Sequence, residues 1–474
     1  MVSGNFNLVH PGHVRLLNFA RSCGDALVVA LYDDGEPGVA VQLDIRMEGV
    51  TSMTAVNHVV TLRQKDLTEF ILALQPNVVV KGHEHERDSN PEKEVVRSYG
   101  GHLIFSSGDV RFSYVDTIGQ DSEGSSKTEL RSARKFCVKH GLTLSRLQEV
   151  VHAFAGKRIL VLGELIMDEY IHCEALGMSQ EDPTIVVAPV DSQRYVGGAG
   201  IVAAHLVGLG AQARFLTICG DDVVADAAST SLLDLGVQHT ILRDRSRPTI
   251  LKQRFRAAGK TLLRVSHLRS HDAGEEYIEQ IYDLVKQHLD QIDLLVFSDF
   301  NYGCLPQGFV HGVIRLCLDR KIPFVADSQA SSQIGDVSRF KHADLITATE
   351  REARLAVSDF KSGLQNVADV LLEKTCARAL IIKLGGEGCV IIDSEPQLET
   401  SKLHALNSNP VDVAGAGDAL LAAASLALVA GGNTWECACI GSLAAALQVS
   451  RLGNVPLQHS ELVRELNRWE VTLN

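Results

Sequence analysis

Aromatic residues are scarce: they make up 5 % of the chain, with only two tryptophans. The cores must therefore be aliphatic, built from Val, Leu, Ile and Ala. Positive charge is also in deficit. Lys and Arg total 45 against 58 Asp and Glu, a net charge of −13. That balance argues against a general binder of nucleic acid or of an anionic membrane, which needs a basic face. It leaves a nucleotide substrate open, because one phosphate site needs only local positive charge. No apolar run reaches the roughly 18–20 residues of a membrane span. The richest stretch, 419–432, is rich in Ala and bounded by Gly, and it reads as a buried helix. No basic, apolar, cleavable leader is visible. Ten cysteines are present, yet metal-clip spacing is missing. The one close pair, Cys437 and Cys439, is too tight for a usual zinc clip. Cys219, Cys317 and Cys389 sit in apolar runs, where a free thiol behaves as a small hydrophobe. A reduced, cytoplasmic setting is the simplest reading.

What is present begins with length. A chain of 474 residues exceeds the roughly 250–300 that one hydrophobic core serves, so two domains are expected. In the first, helical runs alternate with short apolar strands at 26–31, 77–81 and 102–105. That alternation implies a parallel sheet with crossover helices. Residues 119–127 lack apolar side chains and have the composition of a linker. Residues 129–154 read as one or two helices, with a break near Gly141. A second α/β cycle starts with the strand 158–163 and continues with strands near 294, 324, 345, 380 and 389. The expected division is 1–140, a connecting helix 141–156, and 157–474.

Two stretches carry chemistry. In the first, His10-Pro-Gly12-His13 leads directly into a helix. Gly12 lets the backbone approach a ligand. The helix start offers unpaired N–H groups and the positive end of the dipole. Two imidazoles beside it can stabilise charge on a transferring phosphate. The plainer reading is a polar helix start. Residues 4–13 resemble the opening signature of the HxGH nucleotidyltransferase superfamily, close to GxFDxxHxGH. Gly4, Phe6, His10, Gly12 and His13 are in place, and Asn7 stands where that family usually has Asp. Residues 76–82 and 94–101 look like its sugar-1-phosphate branch, in which a Lys at a strand end, here Lys81, faces the nucleotide. The family closes with hydroxyl residues opening a helix. Gly124-Ser125-Ser126-Lys127-Thr128 looks like that signature, with Lys127 inserted. Ser125, Ser126 and Thr128 would hold nucleotide phosphates. The alternative is a helix cap made by Ser126 with Glu129. The first strand is nearly missing, since only three residues precede Gly4.

The second stretch is Asp412-Val-Ala-Gly415-Ala416-Gly417-Asp418, followed by the Ala-rich helix. Its glycines permit a tight turn whose N–H groups converge on one spot, an anion hole. Asp418, at the helix start, can take a proton from a substrate hydroxyl. Together these suit phosphoryl transfer; the alternative is a Gly-rich loop with a capping Asp. The motif resembles the DTxGAGD signature of the ribokinase-type (PfkB) carbohydrate kinases. A second signature of that family appears at Val196-Gly197-Gly198-Ala199. The likeness runs from about 158 to 457.

Within that family the chain looks most like the heptose 7-phosphate kinases, through Gly163-Glu-Leu-Ile-Met-Asp168, Ser179–Pro183 and Arg247-Pro-Thr249-Ile-Leu-Lys252 with Leu263-Arg264. The resemblance puts Asp168, Gly197 and Gly198 at the acceptor. Such an acceptor already carries a phosphate, so fixed cations are needed, and Lys252 and Arg264 are the candidates. Asp327 ends a strand, where a carboxylate faces the ligand crevice. Thr349 and Glu352 match the family's NxxE motif, in which Glu352 helps hold Mg²⁺ with phosphate. Lys383 and Gly385 match the strand and turn near the nucleotide. Three departures stand out. The family's sugar-contacting Asn is Ile201, a Lys expected after Ser298-Asp299-Phe300 is Tyr302, and Asp-Pro-Lys has become Asp327-Ser328-Gln329.

The pairing resembles the bifunctional enzymes that make ADP-heptose, with the domain order reversed. The implied fold is α/β throughout: an N-terminal Rossmann-like nucleotidyltransferase domain, then a ribokinase-like domain with a small β lid from about 170–195 and 250–267. The implied function is ATP-dependent phosphorylation of a heptose 7-phosphate-like sugar, linked to nucleotidyl transfer. The other reading keeps the kinase and treats the first domain as a binding or assembly module. The implied partners are ATP with Mg²⁺ and a phosphorylated sugar, with no nucleic acid and no membrane. Homodimerisation through the lid is also implied.

Overall fold

The computed structural model describes residues 1–473 apart from 8, 10, 83–89, 107–132, 258–259, 331–334, 396–399 and 408. The described residues fall into two compact units, 1–123 with 359–369, and the remainder.

The first unit is built on a five-stranded sheet. Its strands are β1 (Val2–Gly4), β2 (Val28–Tyr32), β3 (His58–Leu62), β4 (Val78–Gly82) and β5 (His102–Ser106). Their order is β3-β2-β1-β4-β5, and every pairing is parallel. A doubly wound sheet of this order opens a ligand crevice where the order reverses, beside β1. The first strand is present after all. Val2, Ser3 and Gly4 pair with Val29, Ala30 and Leu31, and Val80 N donates to Met1 O at 2.9 Å. Three residues suffice because both neighbours supply partners for the backbone. Its core holds Val2, Leu17, Leu27, Val29, Leu31 and Val80.

The second unit has a nine-stranded sheet of β6 (Arg158–Gly163), β9 (Gln212–Cys219), β10 (Gln238–Arg243), β13 (Leu294–Asp299), β14 (Phe324–Ser328), β15 (Leu345–Thr349), β16 (Ala379–Lys383), β17 (Cys389–Asp393) and β18 (Ser401–Leu403). The order is β10-β9-β6-β13-β14-β15-β16-β17-β18, parallel from β10 to β16 and antiparallel beyond. A separate four-stranded sheet, β12-β11-β7-β8, forms the small β layer. It comprises β7 (Leu165–Met178), β8 (Ile185–Gly198), β11 (Ile250–Ala257) and β12 (Lys260–His267).

The Ala-rich stretch is the helix Ala416–Val429, apolar on all sides and buried from Asp418 to Ala427. A helix without a polar face belongs in a core. Its small residues allow close approach: a side chain at Gly441, on the helix Thr434–Val449, would lie 3.1 Å from Leu420 O. Few aromatics are needed, because each buried Leu, Ile or Val contributes roughly 1.5–3 kcal/mol. Ala133, Phe136, Cys137, Leu147, Val150 and Phe154 join this same core. Phe136 meets Trp435 edge-on at 6.2 Å, and His140 stacks on Trp435 at 4.0 Å. The expected division at 140 thus falls inside a segment that packs with the second unit, because its apolar face is completed there. The described cysteines are free thiols, and no helix among the described residues is long and apolar enough to cross a membrane.

Candidate active sites

In the second unit the strand ends and one helix start converge. Gly415 caps the helix Ala416–Val429 in the left-handed region, φ 76°, and a side chain there would collide with Asn454. Glycine is required on both counts. Ala416 and Gly417 form the first turn, whose N–H groups have no intrahelical acceptor. A side chain at Gly417 would lie 3.3 Å from Lys383 Nζ, so an ammonium group sits over that turn. This arrangement suits an anion, with two sources of positive potential.

Asp418 lies in the same turn and is buried. Burial, reinforced by the charge of Asp327 and opposed by Lys383, pushes its carboxyl up to about 7. A carboxylate held there is suited to take a proton near neutral pH. Gln329 Nε2 donates to Asp418 Oδ1 at 3.2 Å. Asp327, on the neighbouring β14, receives the Lys383 ammonium and the Thr347 hydroxyl on Oδ2. Its Oδ1 is buried and has no hydrogen-bond partner among the described residues. Burial raises the Asp327 carboxyl, and Lys383 opposes that rise. Burial by itself would lower the Lys383 ammonium; the charges of Asp327 and Glu352 outweigh it and raise it.

Thr349 caps the helix Glu350–Val357, and Glu352 completes a reciprocal cap. Glu352 Oε2 accepts from Thr349 N at 2.6 Å, and Oε1 accepts from Ala330 N at 3.1 Å. Glu352 is therefore not a solvated helix charge; each of its oxygens already accepts one backbone N–H. It can act on a hydrated cation through water, which suits Mg²⁺ because that ion keeps several waters. The unpartnered Asp327 Oδ1 beside it fits the same role. Among the described residues no group of three or more metal-ligating side chains is assembled. Gly385, φ 60°, opens the turn after β16.

Asp168, expected at the acceptor, projects from β7. Arg254 holds its Oδ1, and Asn454 Nδ2 donates to its Oδ2 at 3.2 Å. Gly197 and Gly198 end β8; a side chain at Gly197 would collide with Asp168, and Gly198 has φ 60°. Lys252 Nζ sits over two rings, 5.5 Å from Phe300 and 5.3 Å from Tyr302. Its charge also acts to lower the Asp418 carboxyl. Arg264, opposite Arg254 in the ladder, lies on the exposed edge strand. Arg254, which sequence reasoning passed over, is the cation that reaches Asp168. Its signal was the alternation Lys252, Arg254, Arg256, which puts three cations on one face of β11. Asn454 carried no such local signal.

The three departures find different places. Ile201 is fully buried in the hydrophobic core. Tyr302 is fully buried beneath the Lys252 ammonium. Gln329 replaces a cation with an amide donor to Asp418. Glu164 holds the loop carrying the two rings. It accepts from Phe300 N, Tyr302 N and Cys304 N at 2.8, 3.0 and 3.3 Å. Burial, then Asp299, pushes its carboxyl up to about 7.

In the first unit, Gly4 ends β1 and the helix Pro11–Ser22 follows. Phe6 is buried with φ 47°, and its ring lies 4.7 Å from that of His13. Lys81, near the end of β4, is held by both oxygens of Glu92 at 3.2 Å. Asn7 pins the loop after β2: its Oδ1 accepts from Ala40 N at 2.8 Å and its Nδ2 donates to Gly38 O at 2.7 Å. Arg46 is a second residue that sequence reasoning missed. Its buried guanidinium donates to Val41 O, Asn5 O and Tyr32 O and pairs with Asp34 at 2.8 Å. His10, Ser125, Ser126 and Thr128 lie outside the described residues.

Comparison with known proteins bears on both units. A model of the pfkB family carbohydrate kinases matches residues 157–459, and a cytidylyltransferase-like model matches residues 1–106. The bifunctional protein HldE of Desulfatibacillum aliphaticivorans is 29 % identical over 321 residues, covering 67 % of this chain and 64 % of that one. HldE of Pseudomonas paraeruginosa is 31 % identical over 315 residues, 65 % of this chain and 64 % of its own. The chain thus spans about 64 % of the length of the curated relatives it matches. Phosphofructokinase-2 from Escherichia coli, solved with potassium, has a TM-score of 0.56 at 15 % identity, covering 66 % of this chain and 99 % of its own. A putative ribokinase from Agrobacterium tumefaciens gives 0.53 at 17 %, covering 67 % and 99 %. These structures share the fold of the second unit.

Proposed function

Because the chain belongs to the pfkB family of carbohydrate kinases, we propose that it phosphorylates a sugar phosphate of the heptose 7-phosphate type at C1, using ATP. Once a separate hydrolytic step has removed the 7-phosphate, the first unit would join the sugar 1-phosphate to a nucleotide. The observation that carries the kinase reading is Asp418, buried in the first turn of a helix whose N–H groups and overlying Lys383 form an anion site. Asp418 takes the proton from the acceptor hydroxyl. That oxygen attacks the γ-phosphorus as the bond to the departing ADP oxygen breaks. The N–H groups of Gly415, Ala416 and Gly417 and the Lys383 ammonium stabilise the charge on the moving phosphoryl group. Asp168 orients the acceptor, and Lys252 and Arg254 answer its existing phosphate. Glu352 and Asp327 would hold Mg²⁺ through water, the ion supplying charge neutralisation for ATP.

In the first unit, His10, His13 and Lys81 would steady the α-phosphate while the sugar phosphate oxygen displaces pyrophosphate. Gly4 and Phe6 line the approach, with Ser125, Ser126 and Thr128 on the phosphates. We read the setting as cytoplasmic. A homodimer through the four-stranded sheet is supported by exposed Leu176, Met178, Ile185 and Val190 on its long hairpin.

The test is direct. Purified protein receives ATP and heptose 7-phosphate, then heptose 1-phosphate with ATP or CTP. ADP and a doubly phosphorylated sugar support the first step; pyrophosphate supports the second. No sugar phosphorylation, with Asp418→Asn equal to wild type, overturns the kinase reading. No pyrophosphate from any pair overturns the bifunctional one.

A further inference from the structure

A short loop, 450–457, lies between the acceptor strand and the anion hole. Gln448 Nε2 donates to Gly453 O at 2.9 Å and anchors it from the preceding helix. Asp412, at the head of the glycine turn, accepts on one oxygen from Gly453 N at 3.2 Å and from the Tyr170 hydroxyl at 3.0 Å. Gly453 has φ 76° and leaves room only for the Tyr195 ring. The next residue, Asn454, touches both halves of the site. Its Nδ2 donates to Asp168 on the acceptor side, and its Oδ1 lies against Gly415 at the anion hole. Asn454 is buried, and its Oδ1 has no hydrogen-bond partner among the described residues.

We infer that Asn454 is a positioning residue that locks the acceptor carboxylate Asp168 in register with the anion hole at Gly415, so that the phosphoryl group passes to the sugar and not to water. The inference rests on the kinase reading above. The physical reason is the number of restraints on Asp168. With Arg254 on one oxygen alone, the carboxylate can still turn about its side-chain bonds. A second bond, to the other oxygen, fixes its plane. The same amide meets the left-handed Gly415, so any displacement of Asp168 is felt at the helix start that receives the phosphoryl group. Misplacement of that order is costly in a reaction that depends on near-attack geometry. Loss of the amide also leaves Asp168 Oδ2 needing a donor in a buried site, and water is the available one. A water admitted there attacks the γ-phosphorus in place of the sugar hydroxyl. The products are then ADP and inorganic phosphate.

The experiment uses the full chain, with ATP and heptose 7-phosphate, and measures ADP, inorganic phosphate and phosphorylated sugar together. Asn454→Ala is expected to raise the KM for the sugar phosphate about tenfold or more while the KM for ATP stays within about twofold. More than one ADP should form per sugar phosphorylated. Asn454→Asp, equal in size but lacking the donor and carrying a charge towards Asp168, should do the same more severely. It carries the test if the alanine variant does not fold. Unchanged sugar KM with one ADP per product, in an active wild-type background, overturns this inference alone. A parallel rise in both KM values with intact stoichiometry marks a merely structural role and also overturns it. A wild type that phosphorylates no sugar phosphate overturns the kinase reading, and this inference with it.

Discussion

The two units place their charges in different surroundings. In the second, Asp327, Asp418 and Glu352 are buried beside a nearly buried Lys383; Lys383 pairs with Asp327, the Gln329 amide holds Asp418, and backbone N–H groups hold Glu352. In the first, the loop that Asn7 pins is more open. Asn7 works in an exposed network, whereas the Lys81–Glu92 pair is largely sheltered, its side chains 17 % and 8 % exposed. The difference teaches where substitutions will tell. Desolvated charges act strongly on one another and leave large penalties when a partner is removed. Partly solvated groups are rescued by water.

The largest effect is expected at Asp418. Asp418→Asn removes the proposed base and should lower kcat for sugar phosphorylation by about 10²–10⁴-fold with little change in ATP binding, read by steady-state kinetics and by nucleotide titration. Next is Lys383→Met. It strips the cation from buried Asp327 and should cost about 3–5 kcal/mol of stability, measured by urea denaturation. A cost below about 1 kcal/mol would mean that the pair is not held as described.

The pH profile follows from the Asp418 carboxyl at about 7. The base works deprotonated, so kcat should rise with pH through about 7 and level off above it. One unit below that point, roughly a tenth of the base remains active. Asp327 raises the Asp418 carboxyl, so Asp327→Asn should move the limb to lower pH. A limb that stays in place would break the electrostatic link between the two. The smallest effect belongs to the first unit. Asn7→Ala should cost about 1 kcal/mol or less, because water can satisfy the groups of 38–41 that it releases. An effect there as large as that of Lys383→Met would erase the contrast between the units.

Much of this was legible residue by residue. The apolar runs gave the strands β4, β6, β13, β14, β15, β16 and β17 within a few residues, since buried strands, most of them parallel here, read as continuous hydrophobic runs. The short β1 and the edge strands β10 and β18 were not read, because three to six residues of mixed polarity carry no strong period. The helix around 133–139 was given to the wrong neighbour for a similar reason. An amphipathic helix declares that it has an apolar face, not which core accepts it. Among site residues, Gly415, Gly417 and Asp418 announced themselves, since one backbone turn needs them side by side. Glu352 did not announce that both its oxygens are taken by backbone groups, one from Thr349 and one from Ala330.

By itself the sequence determined the local chemistry: a glycine turn ahead of an aspartate, a His-Pro-Gly-His helix start, and three alternating cations on one strand. These are contiguous, and short-range backbone geometry makes them what they are. The tertiary structure decided the company they keep. It set the Lys383 ammonium over the first turn of the Asp418 helix and beside Asp327, 56 positions away in the chain. It also brought Asn454 to Asp168 across 286 positions. Strand order and loop closure govern such meetings, and neither is written in the spacing of neighbouring residues.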